Sequence, residues 1–208
     1  MVWVVEMTPR NVVFDVGNVL IHWDPAFLFS KVIPDAARRA WFFANVCTPA
    51  WNLELDRGRP YADAIGDLVA QHPDWTAEIH AWDLRWQEMV SGEITANVAV
   101  LAALRRHGVP DYAITNYSRE KWADSLPRFP FLGTFRGTIV SGHERLVKPD
   151  PAIYRLLLGR YGLTATDCVF IDDSAANIAA ARTLGFATVH YGPAVDLAAE
   201  LGKLGLAV

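Results

Sequence analysis

The stretch NVVFDVG, residues 11–17, decides the fold class, because it joins a short β-branched and aromatic run to a glycine. Such a run predicts a buried β-strand that ends in a tight turn. Asp15 stands at the carboxyl end of this predicted strand, where we expect a side chain to be exposed. Taken alone, Asp15 is better explained as an aspartate that caps the turn before Gly17. The importance of Asp15 therefore depends on what the rest of the chain supplies.

The chain beyond this strand divides into a helical stretch and an alternating stretch. Residues 25–90 contain helical segments separated by prolines, and no convincing strand. From there on, helices alternate with apolar runs at residues 111–115, 137–141, 168–172 and 187–191. That alternation predicts right-handed crossovers and a parallel sheet covered by helices on both faces. We therefore predict an α/β fold, in which residues 1–20 and 92–208 form a Rossmann-like core and residues 21–91 form an inserted all-helical domain.

Polar residues follow the predicted strands, at the edge of the sheet where ligands of α/β proteins bind. These residues are Asp15, Thr115, Asn116, Lys148, Asp172 and Asp173. Carboxylates that converge on one point cannot all stay ionised unless a cation neutralises them. Mg²⁺ prefers hard oxygen ligands of this kind. The sequence therefore predicts a magnesium site that includes Asp15, Asp172 and Asp173.

The same residues are suited to phosphate chemistry. If one oxygen of Asp15 binds the metal, the other is free to attack phosphorus and form an aspartyl-phosphate, which water then hydrolyses. The metal and Lys148 would hold the charge of the transferred oxygens. Thr115, Asn116 and backbone N–H groups would donate the remaining hydrogen bonds.

Four segments, FDVGNVL, ITNYS, VKPDPAIY and FIDDSAANI, resemble in this order the four motifs of the haloacid dehalogenase superfamily of hydrolases. The resemblance spans the whole α/β portion, and the helical stretch resembles the cap domain of one branch. It implies a Mg²⁺-dependent phosphatase in which Asp15 is the nucleophile and a metal ligand. It also implies that Asp173 binds the metal directly. Asp172 would then hold the groups that bind the metal, rather than binding the metal itself. The residues that it assigns to phosphate binding and catalysis are Thr115, Asn116 and Lys148.

One position departs from the resembled pattern. The phosphatases of the superfamily usually carry a second aspartate two residues after the nucleophile, where this chain has Gly17. The backbone carbonyl of Gly17 would still serve as a metal ligand. The missing side chain is the general acid and base, which is worth ~10²- to 10⁴-fold in rate. A branch resembling bacterial sugar-1-phosphate phosphatases also reads D-x-G-N here, so the expected substrate is a small phosphorylated metabolite, such as a sugar phosphate.

Two other functions are compatible with the sequence. The 2-haloacid dehalogenases of the superfamily also lack the second aspartate, and Tyr154, six residues after Lys148, occurs in their pattern too. Against this function, the carboxylates of Asp172 and Asp173 would repel a haloacid anion. The second alternative is a binding or regulatory protein that has kept the fold and lost turnover.

Several further residues have two interpretations each. Asn18 is counted with the phosphate-binding residues, although Asn18 and Asn177 are equally well explained as hydrogen-bonding residues that shape the site. Glu54, Asp56 and Arg57 are possible specificity contacts, but a solvated turn is the preferred interpretation. The tryptophans of the helical stretch fit a helical core by their spacing, and one of them could stack on a sugar ring.

Composition excludes several classes of partner. The formal net charge is −4 and no basic run occurs, which argues against nucleic acid. No apolar run approaches the length of a membrane span, so we expect a cytoplasmic protein, a monomer or a homodimer. Cys47 and Cys168 are expected to be buried thiols rather than a disulfide. The opening MVWVVEM is interpreted as a leader, with Met7 as an alternative start.

Overall fold

The computed structural model describes residues 9–208, so the predicted leader and Met7 lie outside the described residues. Within that range the chain forms seven strands, which are β1 (Asn11–Phe14), β2 (Ile21–Trp23), β3 (Val90–Glu93), β4 (Asp111–Thr115), β5 (Gly137–Val140), β6 (Cys168–Asp172) and β7 (Ala187–His190). The helices in the same range are α1 (Ala26–Val32), α2 (Ala36–Asn45), α3 (Pro49–Asp56), α4 (Tyr61–Gln71), α5 (Thr76–Leu84), α6 (Thr95–Arg106), α7 (Arg119–Ser125), α8 (Ser141–Glu144), α9 (Pro151–Tyr161), α10 (Ala175–Thr183) and α11 (Leu197–Lys203).

Five strands form one parallel sheet in the order β5-β4-β1-β6-β7. The central strand β1 is covered on both faces. Val13 packs in one apolar cluster with Ile153 of α9, and Val12 packs in another with Leu101 of α6. After β1 the chain adds β4 and β5 on one side and then β6 and β7 on the other, so the strand order reverses between β1 and β6. The predicted α/β fold is confirmed.

Capping residues and prolines determine where the helices begin. Thr48 caps α3 by accepting a backbone N–H hydrogen bond on Oγ1, and Pro49 occupies the first helical position. Asp150 and Pro151 play the same two roles for α9, which ends at Gly162 with a left-handed φ of +63°. The starts of α3 and α9 therefore follow from local sequence.

Helices α1–α5, residues 26–84, are called the helical insert here. Their aromatic side chains form its centre, where the Phe29 ring lies 5.1 Å from Phe42 and 5.5 Å from Trp82 between ring centroids. The same apolar cluster continues into the sheet region through Val16 and Tyr117. The insert is thus packed against the end of the sheet where β1 and β4 finish. The division of the chain into two domains at residues 20 and 91 stays a prediction.

A two-stranded antiparallel ribbon, β2 paired with β3, lies at the two ends of the insert and was not predicted from the sequence. Its strands have three and four residues, too few for a period-two alternation to be recognised. The ribbon brings the entry and exit of the insert side by side. A hydrogen bond from the Ile94 N–H to the Leu20 carbonyl, 2.8 Å long, extends this pairing.

The two cysteines agree with the expectation from sequence. Cys47 and Cys168 are buried and free. Burial raises the pKa of the Cys168 thiol to about 12, which keeps it protonated at neutral pH. Among the described residues, no helix combines the length and the apolar character needed to cross a bilayer.

Candidate active site

Three carboxylates meet at the carboxyl ends of two neighbouring strands. Asp15 follows β1 directly, and its N–H donates to the Ile171 carbonyl of β6 at 2.8 Å. Asp172 ends β6, and Asp173 comes next. One carboxylate oxygen of each of the three aspartates lies within 4.8 Å of the others. The cluster stands where the strand order reverses, the position at which α/β sheets bind ligands.

Lys148 provides the positive charge among these carboxylates. Its Nζ lies 2.8 Å from Asp15 Oδ1 and 2.6 Å from Asp172 Oδ2, and the residue is 2% exposed. Burial lowers the pKa of Lys148, but the charges of Asp15 and Asp172 outweigh burial, so the pKa is raised above its usual value. Lys148 therefore stays protonated at neutral pH, and its ammonium group connects the carboxylates of Asp15 and Asp172 at the ends of β1 and β6.

The carboxylate of Asp15 has one oxygen that is held and one that is available. Oδ1 accepts a hydrogen bond of 2.6 Å from the Val16 N–H in addition to its contact with Lys148. Among the described residues none donates a hydrogen bond to Oδ2. Burial raises the pKa of Asp15 to about 7, although the Lys148 charge opposes this. A nearby cation would therefore favour the ionised form that a nucleophile requires.

Asp172 and Asp173 have different surroundings. Asp172 is 0% exposed, and its Oδ1 accepts hydrogen bonds from the Ser174 N–H at 2.8 Å and from Asn177 Nδ2 at 2.9 Å. Asp173 is exposed, and its pKa is raised by burial of the carboxylate and then by the charge of Asp172. Asp173 is thus accessible to a bound ion, whereas the oxygens of Asp172 are already occupied by protein donors.

The donor set suits a divalent cation. Three carboxylates against the single ammonium of Lys148 leave an excess of negative charge at the site when all are ionised. All the donors are hard oxygens, which Mg²⁺ prefers to nitrogen or sulfur ligands. The residues present therefore fit a magnesium ion, and the residues that would hold it are Asp15 and Asp173. Gly17 lines the same cavity, and its role as a carbonyl ligand stays a prediction.

The residues predicted to bind phosphate differ in their hydrogen bonds and in whether they line the cavity. The Asn116 side chain clamps the backbone of Lys148, accepting its N–H at 2.8 Å and donating to its carbonyl at 3.0 Å. Asn18 adopts a left-handed φ of 54° and accepts the Trp23 N–H on Oδ1 at 3.0 Å. Thr115 ends β4, is 1% exposed and is not among the residues that line the cavity. Their contacts with phosphate stay predictions.

A cavity of about 220 Å³ lies in front of the carboxylates. Asp15, Asn18, Lys148 and Asp173 line it from the strand ends, and Tyr117 and Ser118 from the loop after β4. The helical insert contributes Asn52 and Asp56, and Trp86 from the segment after α5 also lines the cavity. The few polar and charged groups that converge on this cavity are typical of a site for a small molecule.

Asp56 lies in the cavity, contrary to the preference from sequence for a solvated turn at Glu54, Asp56 and Arg57. A solvated turn does describe Glu54 and Arg57, which form a partly exposed ion pair with each other. Asp56 instead lines the cavity, and burial raises the pKa of its carboxyl to about 7, against the lowering effects of Lys148 and the Ser118 N–H. Periodicity within α3 does not distinguish these acidic residues, since the difference arises from where the helix end meets the sheet.

Comparison with known proteins finds a matching family and a similar relative. Residues 9–185 match the family described as haloacid dehalogenase-like hydrolase. The phosphoglycolate phosphatase of Pectobacterium atrosepticum is 34% identical over 207 residues, covering 90% of this chain and 85% of that protein.

Two solved structures have a similar fold. A HAD-family enzyme from Bacteroides thetaiotaomicron, solved as a magnesium complex, superposes with a TM-score of 0.74 at 20% identity, covering 93% of this chain and 98% of the other. An L-2-haloacid dehalogenase superposes with a TM-score of 0.66, also at 20% identity, over 95% and 99% of the two chains. The family match over residues 9–185 and the 34% identical relative establish that the chain belongs to the haloacid dehalogenase-like hydrolases.

Proposed function

We propose that this chain is a Mg²⁺-dependent phosphatase that hydrolyses a small phosphorylated metabolite, such as a sugar phosphate, through an aspartyl-phosphate on Asp15. The observation that supports this most is the meeting of three aspartates around the buried Lys148, with one oxygen of Asp15 free of protein donors among the described residues. The 34% identical relative is named a phosphatase, which points in the same direction.

In the proposed reaction, Asp15 Oδ2 attacks phosphorus and the bond from phosphorus to the alcohol oxygen breaks. Lys148 holds negative charge on the transferred oxygens, because its ammonium is fixed between two strand ends. Asn116 keeps Lys148 in place through its two hydrogen bonds to the backbone. Mg²⁺, when bound, supplies further positive charge at the phosphoryl group. Water then attacks phosphorus, the bond to Asp15 breaks, and phosphate leaves.

The helical insert is proposed to act as a cap over this chemistry. It lines part of the cavity through Asn52 and Asp56, so its movement would open or close the site. The hinges would be residues 18–24 and 91–95, which include most of the β2–β3 ribbon. The Trp86 and Tyr117 rings on the cavity wall offer a surface for an organic group such as a sugar ring. A cytoplasmic location and a monomeric or homodimeric state stay predictions.

The test is phosphate release from a panel of phosphorylated metabolites with and without Mg²⁺. The proposal predicts metal-dependent release by the wild type and a loss of at least ~10⁴-fold in Asp15→Asn, since the nucleophile is removed. Asp63→Asn, which removes an exposed carboxylate of α4, serves as the control and should keep full activity. Undiminished turnover in Asp15→Asn would refute the assignment of the nucleophile.

A second assay, of halide release, separates the phosphatase from a dehalogenase. Tyr154 is 0% exposed, and its hydroxyl donates to the Asn177 carbonyl at 3.2 Å, so it faces the protein interior. A haloacid would also meet the carboxylates of Asp172 and Asp173. We therefore expect no halide release from 2-chloropropionate in the absence of metal, and a positive result would favour the dehalogenase.

A further inference from the structure

We propose that Asp56, at the carboxyl end of α3, is the proton donor and acceptor of the reaction. This inference rests on the proposed phosphatase function. An alkoxide is a poor leaving group unless it is protonated as the ester bond breaks, and water attacks more readily when a base takes its proton. Gly17 has no side chain with which to do either, so the group must come from elsewhere on the cavity wall.

The backbone of Asp56 is anchored to the loops at the carboxyl end of the sheet. Its carbonyl accepts a hydrogen bond of 2.6 Å from Ser141 Oγ, at the residue after β5. Two residues later, Gly58 lies so close to Gly142 that a Cβ at position 58 would stand 2.6 Å from the Gly142 oxygen. The end of α3 is therefore held at the same edge of the sheet that carries Asp15.

The side chain of Asp56 is oriented within the cavity by its neighbours. Asn52, one turn earlier in α3, donates from Nδ2 to Asp56 Oδ2 at 3.1 Å and lines the same cavity. Lys148 attracts the Asp56 carboxylate and, together with the nearby Ser118 N–H, lowers its pKa against the effect of burial. These contacts leave the carboxyl group available for exchange of a proton with a ligand.

The other ionisable groups that line the cavity are already engaged. Asp15 is the nucleophile, and Asp173 is the accessible metal ligand. Lys148 is paired with two carboxylates, which hold its proton. The Tyr117 hydroxyl is bonded to Ser125 Oγ at 2.8 Å, and burial raises its pKa. Among the described residues that line the cavity, Asp56 is the ionisable group left for proton transfer.

The electrostatics of Asp56 agree with this role. Because burial raises the pKa of its carboxyl to about 7, both the protonated and the ionised forms are populated at neutral pH. In the first step, the protonated carboxyl gives its proton to the departing alkoxide while the bond from Asp15 to phosphorus forms. In the second step, the Asp56 carboxylate takes a proton from the attacking water while the bond from phosphorus to Asp15 breaks. The Asp56 carboxyl is then protonated again, so it gives one proton and takes back one proton in each turnover.

The decisive experiment compares two aryl phosphates that differ in leaving group. The 4-nitrophenolate ion leaves without protonation, whereas phenolate depends more on a proton donor. We expect Asp56→Asn to lower kcat/KM by ~10²-fold or more for phenyl phosphate and by less than ~10-fold for 4-nitrophenyl phosphate. With the nitrophenyl ester, a stoichiometric burst of nitrophenolate should precede slow turnover, since the base for the second step is also lost.

Controls separate proton transfer from structural damage. Asp63→Asn should behave as the wild type with both esters, because its carboxylate is exposed and is not among the groups that line the cavity. If Asp56→Asn does not fold, Asp56→Ala gives the same comparison, and added formate should restore activity toward phenyl phosphate. An equal loss with both esters, or no loss, would overturn the role of Asp56 while leaving the phosphatase intact. Failure of the wild type to hydrolyse either ester would instead count against the proposed function.

Discussion

At the scale of single residues, the absence of a side chain at Gly17 leaves space in the cavity that a larger residue could occupy. An ideal Cβ placed on Gly17 meets no heavy atom within 4 Å, and its φ is not in the left-handed region. The residue lines the cavity together with Asp15 and Asp56. A carboxylate at position 17 would therefore point toward a site in which Asp56 is the proposed proton donor.

We predict that Gly17→Asp raises kcat for phenyl phosphate, and that it reduces the loss caused by Asp56→Asn in the double variant. The reason is that a second carboxyl could exchange protons with the leaving group. Steady-state kinetics on the single and double variants measure this coupling. Gly17→Ala is the control, because it fills the same space without a carboxyl and should give no gain. Equal rates in Gly17→Asp and Gly17→Ala would contradict the prediction.

At the scale of elements, the turn between α3 and α4 determines where the helical insert meets the sheet. Gly58 has a φ of +97°, a conformation that residues with a Cβ rarely adopt, and it packs directly on Gly142 at the start of α8. Gly142 is itself crowded, since its own Cβ would lie 2.5 Å from the Arg119 backbone nitrogen. The helical insert and the loops that follow β4 and β5 therefore touch backbone to backbone.

We predict that Gly58→Ala destabilises the protein by about 1–2 kcal/mol from the backbone conformation alone. It should also lower kcat/KM by displacing Asp56. Gly66→Ala is the matched control, since Gly66 lies in α4 and a Cβ added there would meet no atom within 4 Å, so it should stabilise by ~0.5–1 kcal/mol. Urea unfolding and kinetics compare the two variants. Equal stabilities of the two variants would show that the close approach of Gly58 to Gly142 does not constrain the residue at position 58.

Prediction from sequence succeeded where the position of a residue in the fold follows from its place at the end of one strand. Asp15 and Asp172 end predicted strands, and the parallel pairing of β1 with β6 brings them together. It failed for Asp56, whose place on the cavity wall depends on the packing of one helix end against Gly142, a contact between segments remote in the chain. It also did not foresee that Asn116 would hold the backbone of Lys148, because hydrogen-bond partners depend on loop paths.

At the scale of the whole molecule, the carboxylate cluster makes stability depend on pH and on metal. Burial raises the pKa of Asp15 to about 7, above its ordinary value of 3.8. The folded protein therefore binds the Asp15 proton more tightly than the unfolded chain does. The resulting stabilisation is fully present below pH 3.8 and is lost as the pH rises through about 7. A divalent cation would replace that proton, so its stabilising effect should grow over the same range.

We predict that Mg²⁺ at ~100 times its Kd stabilises the fold by ~2.7 kcal/mol, which corresponds to a rise in Tm of roughly 5–10 °C. At a fixed Mg²⁺ concentration the rise should be larger at pH 8 than at pH 6, because fewer protons compete with the cation for the Asp15 carboxylate. Thermal unfolding of the wild type and of Asp173→Asn measures it, and the variant should lose most of the shift because an accessible ligand is gone. Asp63→Asn should keep the full shift. An identical response in Asp173→Asn would remove Asp173 from the metal site.

The covalent intermediate on Asp15 is central to the proposed function, and it can be trapped. The enzyme is mixed with 4-nitrophenyl phosphate and Mg²⁺, quenched with acid during turnover, and treated with borohydride, which reduces an acyl phosphate to an alcohol. Peptide mass spectrometry then reads each aspartate. We predict conversion of Asp15 to homoserine, dependent on both substrate and metal. Turnover with an unmodified Asp15, or with the modification on another residue, would contradict this mechanism.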